Sequence, residues 1–158
     1  MKLEIKLLIK MCIGPFLVFM LGFYLENFVP LYQYFEWPNR VVHYLGGFSI
    51  AIPIYLVFYF FKANKWVITV TRYIDYVIVT VSALSVAAFW EFYEYAMDKF
   101  FPGPYLAQPS VDDTMKDMLM GLCGALTFVL IWHIRSCFKK PEKIEPVKEK
   151  AKNRSKKS

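Results

Sequence analysis

Long apolar runs separated by short polar breaks dominate the chain. The runs occupy residues 7–25, 41–61, 73–95 and 115–134. Each is close to the length of about 20 residues that a helix needs to cross a hydrocarbon core of about 30 Å. The pattern predicts an all-α integral membrane protein built as a bundle of four transmembrane helices, with residues 1–134 as the membrane domain. The first run is the least regular, because Lys10 lies inside it, Gly14 and Pro15 invite a kink, and apolar character continues past Glu26 toward Phe35. No small-residue cleavage pattern follows it, so it reads as a retained helix rather than a signal peptide.

Composition supports the same class. Apolar residues make up 57% and aromatic residues 19% of 158 positions, well beyond a soluble domain. Charge is confined to the breaks. Lys2, Lys6 and Lys10 flank the first run, and Lys62, Lys65 and Arg72 fill the second connection. The first connection holds only Arg40, and the third holds Lys99 and Lys116 among Asp98, Asp112, Asp113 and Asp117. The positive-inside rule then predicts both termini in the cytoplasm and a multi-pass protein of the plasma (inner) membrane. Trp37 and Trp90 are expected at the outer boundary and Trp66 and Trp132 at the inner one.

Residues 135–158 carry ten basic and three acidic side chains, a net +7 against +6 for the whole chain. With Pro141 and Pro146 in it, this stretch reads as a disordered, basic cytoplasmic tail suited to anionic lipids. No nucleic acid is expected as a partner, since aromatic residues are not interleaved with the charges. Cys12, Cys123 and Cys137 are an odd number without paired spacing, so they read as packing residues, with Cys137 open to acylation. The chain contains no phosphate loop, nucleophile elbow or internal repeat. Its pattern assigns neither a catalytic residue nor an oligomeric state.

The informative positions are ionisable residues at the ends of three runs. His43 opens the second, Glu91 and Glu94 close the third, and Asp113 and Asp117 open the fourth, so alternating topology brings them to one side of the membrane, near the outer leaflet. Such residues usually face a bundle interior and mark a site. Small residues share their helical faces: Gly46, Gly47 and Ala51 with His43, Ala83, Ala87 and Ala88 with Glu91, and Gly121, Gly124 and Ala125 with Asp117. Helices approach closely along such faces, which predicts packing at Gly47, Gly121 and Gly124 and puts the polar groups between the last three helices. The first helix, without such a stripe, is expected to pack outside. Simpler roles exist for some of these residues. Asp112 and Asp113 are placed to cap the fourth helix, His43 can be a boundary residue, and Asp75 and Glu26 read as interface residues.

The stretch from His43 to Ala125 resembles the YjdF-like family of bacterial inner-membrane proteins, which has no established function. The resemblance rests on HYLGG with His43 and Gly47, on FWEFYEY with Glu91 and Glu94, and on AQPSVDDTMKDM with Gln108, Val111, Asp113, Thr114, Asp117 and Met118, followed by Gly124 and Ala125. It adds Gln108 and Thr114 as secondary site residues. The family pattern has aspartates where this chain has Asn39 and Ser110, and a tryptophan at Asp112. If those aspartates act in the family's chemistry, this chain is an altered member. A looser similarity in layout to VanZ-like membrane proteins implies a cell-envelope role.

Two functions fit the cluster. In the first, His43, Glu91, Glu94, Asp113 and Asp117 form a polar pocket that binds a small ligand, lipid headgroup or ion. In the second, the same groups bind a divalent metal ion as cofactor, and a metal-activated water hydrolyses a lipid-linked or envelope substrate. The first is favoured, because a single histidine with two glutamates three apart is not a diagnostic metal signature.

Overall fold

The computed structural model describes residues 5–28, 35, 37–66, 71–101 and 106–138, the side chains of residues 5–8, 10, 26 and 27 excepted. Four helices account for nearly all of it: α1 (Ile5–Asn27), α2 (Trp37–Ala63), α3 (Arg72–Phe100) and α4 (Val111–Phe138). The readings of Lys2, Lys6, Lys10 and Glu26, and of the tail after residue 138, lie outside the described residues. α2, α3 and α4 are long and apolar enough to cross a membrane, whereas the apolar stretch of α1, Met11–Leu25, is shorter. α1 runs through Pro15 and α2 through Pro53 as single helices.

The helices extend beyond the apolar runs into polar flanking residues that a hydrophobic window does not count. At the start of α4 the Ser110 hydroxyl accepts the Asp113 N–H at 3.1 Å, which makes Ser110 the N-cap. This corrects the capping role expected of Asp112, which instead pairs with Lys116 one turn on while its side chain stays 74% exposed. α2 ends in a Schellman motif. Lys65 adopts φ 59°, a conformation usually given to glycine. The Trp66 N–H bonds to the Phe61 carbonyl at 3.0 Å, and the Trp66 and Phe61 rings stack 5.5 Å apart. Just beyond, Lys62 closes on Asp75 at 2.7 Å, so Asp75 ties α2 to α3 rather than standing alone at an interface.

Packing is inverted relative to a soluble protein. The largest fully buried side chains are Val79 and Asp117, and the apolar core contains Ala51, Ala83, Ala125 and Phe128, while Phe16, Leu17, Val77, Val81, Phe89, Leu119 and Leu130 point outward. Small and polar inside with large and apolar outside is what lipid as a solvent selects. The closest helix pair is α2 with α4. A Cβ on Gly47 would overlap the Gly121 carbonyl, and one on Gly124 would overlap the Tyr44 carbonyl. The Tyr44 hydroxyl also donates to Thr127 Oγ1 at 2.9 Å. Trp132 packs against Tyr55 at 4.7 Å and Phe128 at 6.1 Å. α1 lies along α2 and reaches α3 through Phe19, whose ring meets Trp90 edge-on at 5.6 Å.

Candidate functional site

Helical spacing on α2 puts Asn39, His43 and Gly47 on one face, and the glycine contacts press that face onto α4. The imidazole therefore enters the bundle six residues into α2 rather than at its mouth. It lies between two carboxylates. His43 Nδ1 is 3.7 Å from Glu91 Oε1 on α3, and His43 Nε2 is 3.7 Å from Asp117 Oδ2 on α4. All three residues are nearly sealed, with exposures of 8% for His43, 4% for Glu91 and 1% for Asp117.

The partners around this core divide it into two sides. On the Asp117 side, Asn39 Nδ2 donates to Asp117 Oδ2 at 2.7 Å. The Arg40 guanidinium lies near enough to Asp117 for an opposite charge to be felt, and Asp113 lies near enough to Asp117 and Glu91 to repel both. On the Glu91 side, Gln108 Nε2 approaches Glu91 Oε2 and the Glu91 carbonyl at 3.4 Å each, and the Thr114 side chain faces the same carboxylate. Trp90 Nε1 donates to Glu94 Oε1 at 2.7 Å. Ligand atoms of His43, Glu91 and Glu94 all lie within 4.8 Å of one another. Among the described residues, the buried Glu91 Oε1 and Asp117 Oδ1 have no hydrogen-bond partner. Each such oxygen is free to accept a further hydrogen bond or to bind a cation.

This arrangement adds four residues to those that the linear pattern singled out. Asn39 and Arg40 precede His43 by four and three positions, a spacing that puts them on its face; Arg40 read as connection, and Asn39 stood out only as a place where the family pattern has an aspartate. Asp98 was invisible. Its carboxylate accepts the Ala107 and Gln108 N–H groups at 2.9 and 2.8 Å and so aims Gln108 at Glu91 across a loop. Trp90, expected as an outer-boundary anchor, also gives its indole N–H to Glu94 and so joins the site. Gly46 also departs from expectation: it turns away from α4, and a Cβ added there meets nothing within 4 Å.

Residues 2–137 match the model of a family described as predicted membrane protein (DUF2238). The chain belongs to this family. No curated protein and no solved structure matches it. Membership agrees with the three helices long and apolar enough to cross a bilayer, and it extends over all four helices of this DUF2238 chain, α1 included.

Proposed function

We propose that this DUF2238 protein binds a divalent metal ion between α2 and α3, with His43, Glu91 and Glu94 as its ligands. The observation that carries the reading is the convergence of their ligand atoms within 4.8 Å around a buried Glu91 oxygen that has no hydrogen-bond partner among the described residues. Ligand atoms around a tetrahedral ion with bonds of about 2.1 Å stand roughly 3.4 Å apart. The 3.7 Å separation of His43 Nδ1 and Glu91 Oε1 is near that value, so loading requires mainly a shift of Glu94. Charge argues the same way. Asp113 lies near enough to Glu91 and Asp117 for like charges to be felt, and an ion with two positive charges relieves such repulsion. Imidazole with carboxylates suits zinc, manganese or iron. In this arrangement Asp117 is no ligand. It faces Nε2, the position from which a carboxylate orients a metal-binding histidine, and Asn39 holds it there.

The chain is read as crossing the membrane four times, with both termini cytoplasmic and the basic tail of residues 135–158 against anionic lipid, in a plasma (inner) membrane protein of the cell envelope. The large apolar side chains around α1, among them Ile9, Phe16, Leu17 and Phe23, support a fourth crossing. Helices of 27 to 29 residues span roughly 40–44 Å, longer than a hydrocarbon core of about 30 Å. With each helix centred in the bilayer, His43 and Asp117, about 9 Å from their helix ends, sit just inside the hydrocarbon boundary. The YjdF-like resemblance of the same motifs fits this placement.

The test is metal analysis of the full chain, purified in detergent without added metal, and zinc titration of the same protein. The reading expects a single tightly bound divalent ion, lost in Glu91→Gln and in His43→Ala and retained in Asp112→Asn. Equal metal content in all of them would sink it.

A further inference from the structure

His43 also lines a second, quite different space. A cavity of about 260 Å³ opens between α1, α2 and α3, walled by Pro15, Val18 and Phe19 on one side and by Val86, Ala87 and Trp90 on the other. Ser49 is its other polar side chain, and the Ser49 hydroxyl already donates to the Gly46 carbonyl at 3.0 Å, so the wall offers a ligand little besides apolar contact. An apolar void of about 150 Å³ holds benzene, and this one has room for a larger hydrocarbon segment. It is half open, because α1 and α3 do not approach each other closely along their backbones and meet at Phe19 and Trp90. A smaller cavity of about 60 Å³ adjoins it, sharing the Phe19, His43 and Trp90 wall and reaching Asn39, Tyr93 and Glu94.

We propose that these joined cavities bind one membrane phospholipid, with a single acyl chain in the apolar space and the anionic phosphate at the cation held by His43, Glu91 and Glu94. The inference rests on the metal reading for its headgroup half. Without the cation, the carboxylates around His43 repel a phosphate. With it, an apolar slot ends at a metal ion whose remaining coordination position can take a phosphate oxygen, which matches the two ends of an anionic lipid. Gly46 is where the chain half can be tested alone: it lines the cavity, and a Cβ there meets nothing within 4 Å.

The experiment uses the full chain in nonionic detergent, with native mass spectrometry of adducts formed by dioleoyl phosphatidic acid and by uncharged dioleoylglycerol, each with and without zinc. In the unaltered chain, zinc should raise phosphatidic acid binding by about tenfold and leave dioleoylglycerol binding unchanged. Gly46→Leu should lower binding of both lipids by about tenfold while retaining zinc, which also reports that the variant is folded. Gly46→Ala, with a smaller plug, should fall between. Binding of both lipids by Gly46→Leu at the level of the unaltered chain overturns the proposal. Failure of the metal reading looks different. Zinc would then bind neither chain, and only the Gly46 variants would still separate from the unaltered protein.

Discussion

The two sides of α2 are built on opposite principles. Toward α4, Gly47 and Gly124 bring backbones into contact so close that no methyl group fits on either. Toward α1 and α3, Gly46 opens onto a cavity of about 260 Å³. His43 sits where the two sides meet. The tight side gains dispersion contact along the whole helix pair and holds the imidazole and Asp117 in register. The loose side leaves room next to that imidazole. A glycine in a membrane helix can thus serve close approach or open space, and two adjacent glycines here do one each.

The largest expected effect tests the tight side. Gly47→Ala and Gly124→Ala each place a methyl group on a backbone carbonyl of the facing helix, and overpacking of this kind costs about 1–3 kcal/mol or more. Thermal melting in detergent should show both losses, with the double change less than additive, because the first already separates the helices. If either variant melts like the unaltered chain, the contrast between the two sides disappears.

The site at their meeting point comes next. Asp117→Asn should weaken zinc binding about 10- to 100-fold, the usual effect of removing a carboxylate behind a metal-bound histidine, whereas Glu91→Gln removes a ligand and should abolish it. The double change should bind no worse than Glu91→Gln alone, since the groups act as a unit. Without metal both variants should melt slightly higher, as one of several crowded carboxylates is gone. Equal losses for the two single changes in zinc titration would make Asp117 a ligand as well.

Smaller effects sharpen the comparison at its edges. Lys62→Met breaks the pair with Asp75, whose side chains are 14% and 16% exposed, and should cost about 1 kcal/mol in a double-mutant cycle with Asp75→Asn. Gly46→Ala should raise stability by about 0.5–1 kcal/mol, because the void side accepts the methyl and the helix gains from losing a glycine. Opposite signs for Gly46→Ala and Gly47→Ala in one melting assay are the most direct check of the two faces. At the start of α4, Ser110→Ala should cost about 1 kcal/mol and Asp112→Asn less than about 0.5 kcal/mol. Reversed magnitudes would return the cap to Asp112.

Much of this was legible in the linear pattern. Runs of about 20 apolar residues yield helices whatever their neighbours, because a backbone in lipid must satisfy its own hydrogen bonds. Ionisable residues sharing a face with small ones marked the inward side of α2, α3 and α4. Tertiary structure decided which inward neighbour each residue meets. Gly46 and Gly47 differ by about 100° around the helix, close enough to share one stripe in sequence, yet one faces α4 and the other a void. Asn39 and Arg40 became part of the site only when α4 brought Asp117 opposite them. Asp98 reaches Ala107 and Gln108, a pairing no periodicity encodes, and Trp90 and Trp132 found their partners Phe19 and Tyr55 only in the folded bundle. A helical period specifies a direction to within about a quarter turn. The partner found there depends on the facing helix, and only packing supplies that.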